Sequence, residues 1–364
     1  MNLQPSFDLP DFPWDSLAGA TERAHAHPDG IVDLSVGTPV DPVPDVVRAA
    51  LTGPAADDPG YPTTHGPLAL RIAIAGSLRR RFGVTVDPQA VLPTIGSKEL
   101  VAWLPTLLGA GPGHTVLIPE LAYPTYEVGV RLAGATAVRA DATTAVGPGR
   151  VSLIWVNSPS NPTGRVLPAE HLAKVVEFAR ERGAIVASDE CYLSLSDGAP
   201  SILSPEVCGG SFDGLLAVHS MSKTSNLAGY RAGFVTGDPA LVAGLLEVRK
   251  HAGMIVPRPV QAAMAAAADD DAHVTAQVAV YARRREVLRA AVEKAGLRVE
   301  HSTAGLYLWA TADEPGRRTV DRLAELGILV APGEFYGPAG ARHVRIGLTA
   351  TDERISAAAE RLAG

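Results

Sequence analysis

The sequence predicts an α/β protein in two parts. A large domain is built on a mostly parallel, seven-stranded sheet flanked by helices, and a smaller α+β domain follows it. Three observations predict this. At 364 residues, the chain has the length of about two domains of roughly 150 residues each. From residue 90 on, short apolar runs alternate with helical stretches, the pattern of repeated strand–helix–strand units. Past residue 266 that order gives way to an irregular succession of strands and helices.

The segment Pro5–Pro13 is rich in proline, which suits neither a helix nor a central strand, so it reads as an arm. Residues 1–42 are assigned to that arm and to part of the smaller domain. Residues 43–265 are assigned to the large domain. Its expected strands are Ala90–Ile95, Thr115–Pro119, Thr136–Arg139, Val151–Asn157, Ala184–Ser188, Leu215–His219 and Gly233–Thr236. Several are rich in Val and Ile without polar alternation, as strands covered on both faces are. Expected helices between them include Lys98–Leu108 and Pro168–Arg182. The second has Pro in its first turn, places Leu172, Val175, Val176 and Ala179 on one face, and stops at Gly183.

Residues 266–364 make the smaller domain. An Ala-rich helical region from Pro257 is broken at Asp269–Asp271 and resumes to Ala295. After it come Leu306–Ala310, a helix near Arg318–Leu326, Ile328–Val330, Val344–Leu348 and a final helix from Asp352. Asp352 and Glu353 give that helix an acidic first turn, which suits its dipole.

Charge and composition exclude several functions. Lys and Arg number 32 against 39 Asp and Glu, a net charge of −7, the wrong sign for a nucleic-acid groove. The two cysteines, Cys191 and Cys208, make no disulfide framework and fit no zinc spacing. His25 and His27 lack a third ligand, so no metal is expected. No basic, apolar leader opens the chain and no apolar run reaches the ~18 residues of a membrane span. The chain reads as cytoplasmic, with no membrane or nucleic-acid partner. Gly109–Gly113 looks like a nucleotide loop, yet it follows a helix and precedes a strand, the reverse of a dinucleotide fingerprint.

Four short segments carry the chemistry, each at the end of an expected strand: Gly96-Ser97-Lys98, Asn161-Pro162-Thr163-Gly164, Asp189-Glu190-Cys191-Tyr192 and Ser220-Met221-Ser222-Lys223. In open α/β sheets ligands bind outside the carboxyl ends of the strands, so the four converge on one crevice. A partly buried Lys223 becomes an amine nucleophile able to form a Schiff base. Ser220 and Arg231 offer a hydroxyl and a guanidinium fork suited to phosphate. Ser97 and Lys98 open a helix whose free N–H groups attract an anion. Asp189 can pair with a ring N–H⁺, and Asn161 and Tyr192 can steady a phenolate. Each alone has a bland reading as a cap, a turn or a solvated side chain. Together they describe a site for pyridoxal 5'-phosphate.

Ser220-Met221-Ser222-Lys223 through Gly229-Tyr230-Arg231-Ala232-Gly233 resembles the lysine signature of the fold type I pyridoxal-phosphate aminotransferases, class I/II. The resemblance runs over essentially the whole chain. It implies that Lys223 carries the cofactor covalently and shuttles the proton. It implies further that Asp189 pairs with the pyridine nitrogen and that Tyr192 and Asn161 bond the ring oxygen. Ser97, Lys98, Ser220, Ser222 and Arg231 then surround the phosphate, and Tyr123 stacks on the ring. Tyr61, in Gly60-Tyr61-Pro62, matches the tyrosine given to a neighbouring subunit's phosphate, which implies a homodimer with shared active sites. Arg345 matches the grip on the substrate α-carboxylate, and Gly37 the glycine that lines it. The departures are Glu190-Cys191-Tyr192 after the aspartate, Tyr230 before the phosphate arginine, and Val36-Gly37-Thr38-Pro39 in the amino-terminal loop.

Leu9-Pro10-Asp11-Phe12-Pro13-Trp14-Asp15, Ile31–Asp41 and Ser188–Tyr192 are similar to the actinobacterial-type N-succinyldiaminopimelate aminotransferases of lysine biosynthesis. That resemblance implies glutamate/2-oxoglutarate as one amino/oxo acid pair and N-succinyl-LL-2,6-diaminopimelate/N-succinyl-2-amino-6-oxopimelate as the other. Expected pocket walls are Phe12–Trp14, the Tyr61–Thr64 loop of a partner subunit and His251–Arg258, with Arg258 as candidate for the distal carboxylate. The alternatives are an aminotransferase for aspartate, alanine or an aromatic amino acid, or a C–S β-lyase on the same cofactor.

Overall fold

The structure is a computed structural model and describes residues 9–141 and 150–364. The described residues hold thirteen strands. In chain order they are β1 (Val32–Asp33), β2 (Val91–Ile95), β3 (Thr115–Ile118), β4 (Thr136–Arg139), β5 (Val151–Asn157), β6 (Ile185–Asp189) and β7 (Leu215–Ser220). Then follow β8 (Ala232–Gly237), β9 (Arg298–Glu300), β10 (Tyr307–Thr311), β11 (Ile328–Leu329), β12 (Ala331–Pro332) and β13 (Val344–Gly347). Strands β2 to β8 form one sheet in the order β2-β8-β7-β6-β5-β3-β4. All its neighbours are parallel except those of β8, which runs against both β2 and β7.

Burial explains the lack of polar alternation in these strands. Along β7, Leu215 and Ala217 enter one core while Leu216 and Val218 enter another. Along β5, Ile154 and Val156 face the first and Leu153 and Trp155 the second. Both faces are therefore dry, and each strand must be apolar throughout. Helices Leu68–Phe82, Ala169–Arg182 and Arg258–Asp269 cover one face; Gly96–Leu107, Thr125–Leu132 and Pro239–Ala252 cover the other.

A third core joins Leu17, Ala20, Ala24, Val32 and Leu34 to Leu288, Leu306, Val320, Ile346 and Leu362. It is built on the four-stranded antiparallel sheet β12-β13-β10-β9 and the short parallel pair β1-β11. The amino-terminal and carboxy-terminal segments thus share one hydrophobic cluster. Ala267 and Ala268 pack in the core of the large sheet, so the helix Arg258–Asp269 stays with that sheet past residue 265.

Small boundary shifts have physical causes. β6 extends to Asp189 because that residue stays in the ladder, opposite Asn157 on one side and Val218 on the other. Pro168 is the cap of helix Ala169–Arg182 rather than part of its first turn, and Gly183 ends the helix with φ 63°. The helix after β2 starts at Gly96, not Lys98. Gly109–Gly113 is the turn from that helix to β3. No described helix is long and apolar enough to cross a membrane. Among the described residues no group of three or more His, Cys, Asp or Glu could hold a metal ion.

Candidate active site

The strand directions decide where the functional residues meet. β3, β5, β6 and β7 end at one edge of the large sheet, β8 begins there, and helix Gly96–Leu107 starts there after β2. A cavity of about 930 Å³ opens at that edge. Its lining includes Ser97, Lys98, Tyr123, Asn161, Asp189 and Tyr192, together with Gly37, Ser220, Ser222, Lys223, Arg231 and Arg345. Of the candidate site residues singled out in the sequence, Tyr61 and Arg258 are missing from this lining.

One end of the cavity gathers groups that could hold a dianion. The first turn of helix Gly96–Leu107 leaves backbone N–H groups without helical partners. Gly96 has φ 70°, and a Cβ there would lie 2.3 Å from an Arg231 guanidinium nitrogen; glycine lets the cation close on the helix start. Arg231 itself sits at φ 59°, a costly conformation for a residue with a Cβ, and donates to the Ala228 carbonyl at 2.7 Å. The Ser222 N–H donates to Ser220 Oγ at 3.1 Å, folding this turn so that both serines line the cavity.

At the floor, Asp189 accepts hydrogen bonds from Tyr126 OH (2.7 Å) and the Cys191 N–H (3.2 Å). Burial pushes its carboxyl up, against the pull of the Cys191 and Tyr126 bonds. It has no ion pair among the described residues. A buried carboxylate without a cation is costly, and a protonated ring nitrogen is a partner this carboxylate could hold. Lys223 Nζ donates to the Gly37 carbonyl. Burial lowers its pKa, and the positive charges of Arg345 and Arg231 push the same way, which favours the free amine a nucleophile needs.

The opposite wall holds Arg345, which is 2 % exposed. It donates to Asn161 Oδ1 at 2.9 Å and to the Ser35 carbonyl at 2.6 Å. Its guanidinium lies 3.9 Å from the Tyr307 ring centroid and 5.0 Å from that of Tyr336. Its Nε is buried with no hydrogen-bond partner. A fixed, desolvated guanidinium with a donor to spare is suited to grip a carboxylate. Gly37 faces the Tyr307 hydroxyl so closely that a Cβ would lie 2.1 Å from it. Tyr192 and Tyr307 share a hydrogen bond at 3.2 Å, and burial with this mutual contact raises the Tyr192 phenol, keeping it protonated. Tyr123, its phenol pushed up to about 12 by burial, stands edge-on to Tyr126 at 6.0 Å between centroids.

Two expectations change. Arg258 does not line the cavity; it donates to the carbonyls of Gly60 and Tyr61 and pairs with Asp58 at 3.1 Å, bracing the Tyr61 loop. The Lys98 side chain turns toward the arm, its Nζ 5.8 Å from the Phe12 ring centroid; only its N–H end belongs to the helix start. Tyr61 is 95 % exposed and lies outside the cavity of its own chain. Tyr126 and Tyr307 went unnoticed in the sequence. Tyr126 had a signal, since it follows Tyr123 by three residues and so falls near it at the start of a helix. Tyr307 had none.

Residues 29–362 match the family of class I and II aminotransferases. The chain is 61% identical to a probable aminotransferase of Mycobacterium tuberculosis over 98% of its length and 86% of that protein. It is 60% identical to the 4-dedimethylamino-4-oxo-anhydrotetracycline transaminase OxyQ of Streptomyces rimosus, covering 98% of this chain and 99% of the other. Among solved structures, a probable N-succinyldiaminopimelate aminotransferase of Thermus thermophilus superposes with a TM-score of 0.87 at 29% identity, over 97% of this chain and 99% of that one. The chain belongs to the class I and II aminotransferases, enzymes that use pyridoxal 5'-phosphate.

Proposed function

We propose that the protein moves an amino group between glutamate/2-oxoglutarate and N-succinyl-LL-2,6-diaminopimelate/N-succinyl-2-amino-6-oxopimelate at this cavity. Bound pyridoxal 5'-phosphate supplies the electron sink and carries the amino group between the two half-reactions. Lys223 holds it and moves the proton at the substrate Cα. Asp189 keeps a proton on the ring nitrogen, Asn161 and Tyr192 hold the ring oxygen, and Tyr123 covers one ring face. The phosphate lies against Ser97, the Lys98 N–H, Ser220, Ser222 and Arg231. Arg345 and the Gly37 backbone seat the α-carboxylate.

The observation that carries the choice of substrate is a cation on the same cavity beyond Lys223, Arg231 and Arg345. Besides the buried Arg345, the rim holds Lys98 beside Phe12. A carboxylate at each end and a long arm between them match two cationic poles in a large cavity, and Lys98 takes the role first given to Arg258. The name of the Thermus thermophilus structure supports the same reading. A second reading is favoured by the arm: Leu9, Pro10, Phe12, Trp14 and Val36 make an apolar wall suited to a ring-bearing oxo compound, as in the name of OxyQ.

Side-by-side kcat/KM values separate them. Succinyl-diaminopimelate is expected to exceed free LL-diaminopimelate, aspartate, alanine and phenylalanine by at least about tenfold, ~1.4 kcal/mol of differential transition-state binding. Lys98→Gln then removes most of that margin. A ring-bearing substrate in first place selects the second reading, and alanine or aspartate in first place rejects both.

The active site is further proposed to be shared in a homodimer, with Tyr61 reaching the phosphate of a second copy. Its exposure in the single chain supports this, and two-fold dimers are the commonest closed assembly. Inactive Tyr61→Ala and Lys223→Ala subunits, once exchanged, are expected to regain activity, because one site of each hybrid is then intact. Exchange without recovery contradicts sharing. The three cores support a domain division after residue 42 and near Asp270.

A further inference from the structure

The helix Asp271–Lys294 carries a buried polar face. His273, Gln277, Tyr281 and Arg284 follow at spacings of four, four and three, which places them along one side. None of the four exposes as much as a tenth of its side-chain or residue surface. Polar groups so buried must be matched by partners, and those partners are the segments that bear the active site.

His273 Nε2 meets Ser225 Oγ at 2.8 Å, while its Nδ1 meets Asp270 Oδ2 at 3.0 Å. Gln277 Oε1 accepts from Asn226 Nδ2 at 3.0 Å, and its Nε2 donates to Asp41 Oδ2 at 2.9 Å. Tyr281 OH donates to the Lys223 carbonyl at 3.4 Å. Arg284 donates to both Asp41 oxygens, at 2.9 and 2.7 Å, and to Asp352 Oδ1 at 2.6 Å. Asn226, at φ 53°, closes the circuit by donating to the Pro42 carbonyl at 3.0 Å. One helix face thus holds the Lys223 turn, the segment four residues past Gly37, and the segment seven past Arg345. The Asp41 carboxyl, raised by burial, is held below its usual range by the bonds from Arg284 and Gln277, so it is an ionised anchor.

We propose that this face is a positioning device, resting on the site assignment above. His273, Gln277, Tyr281 and Arg284 set the placement of Lys223 relative to the α-carboxylate seat of Gly37 and Arg345. The three segments come from distant parts of the chain. A misplacement of about 1 Å between a proton-transferring group and a bound substrate can cost up to ~100-fold in rate.

Gln277→Met, similar in volume but without its two hydrogen bonds, tests this in the holoenzyme, with Tyr281→Phe as the milder variant. In steady-state transamination from glutamate to an oxo-acid acceptor, kcat is expected to fall about tenfold in the first and about threefold in the second, with KM moving less than kcat. The pH midpoint of the absorbance of the lysine-bound cofactor is expected to shift in both, at unchanged cofactor content. A lower melting temperature with wild-type kcat and an unmoved midpoint in both variants overturns the proposal. If Gln277→Met does not fold, Tyr281→Phe alone decides by the same two readouts. Loss of cofactor binding in Lys223→Ala, or retention of it there with full activity, reports on the site assignment separately.

Discussion

Lys223→Ala is expected to reduce turnover by at least about a thousandfold and to abolish the absorbance of lysine-bound cofactor, with the fold intact. The physical reason is singular placement. Lys223 lines the floor of the cavity with Asp189, opposite Arg345, and burial with two neighbouring guanidinium groups lowers its pKa. In the proposed assignment one amine both holds the cofactor and moves the Cα proton, so its removal takes both roles at once. Lys98, on the same cavity, sits at the rim by Phe12 and does not replace it. Absorbance spectra and single-turnover assays of the purified variant check this. Full transamination in Lys223→Ala sinks the assignment.

Asp189→Asn is expected to leave cofactor content near wild type while slowing Cα deprotonation by about a hundredfold or more. The cradle of Ser97, Ser220, Ser222 and Arg231 is untouched by the change, so binding persists. The loss is electrostatic. Desolvation pushes the buried carboxyl up; in the proposed assignment a cationic ring nitrogen relieves it, and that pairing would keep the ring protonated and able to accept electrons. An amide offers no such charge, and the Tyr126 hydroxyl that now donates to Asp189 has only a neutral acceptor left. Rapid mixing with glutamate measures the step. A wild-type rate constant in Asp189→Asn contradicts this role.

The parts of the site legible in the sequence were those set by strand ends. Lys223, Asp189 and Asn161 follow apolar runs, and a parallel sheet brings the ends of its strands to one edge without further information. β8 was legible as a strand, although its antiparallel direction was not. That direction follows from the Lys223–Arg231 connection returning at the same edge, and it is why Arg231 meets Gly96 there.

What escaped depended on contacts across the fold. Tyr307 lies on β10 in an apolar run, and only the approach of that strand to the large sheet puts its ring against Arg345 and its hydroxyl beside Gly37. Arg258 stands outside the cavity, its charge taken up by Asp58 and by two carbonyls of the Tyr61 loop. Lys98 was read for its position at a helix start, whereas its long side chain follows the apolar arm instead. No role is read from the sequence for the polar face of helix Asp271–Lys294, whose burial is a consequence of where Asp41 and the Lys223 turn come to rest.

Borohydride reduction of the holoenzyme, followed by peptide mapping, tests the central assignment most directly, because it fixes the cofactor to the amine that holds it. The predicted result is a pyridoxyl group on Lys223 and on no other lysine. A pyridoxyl group on Lys98 or another lysine, or none on Lys223 in a fully loaded and active enzyme, would contradict the account.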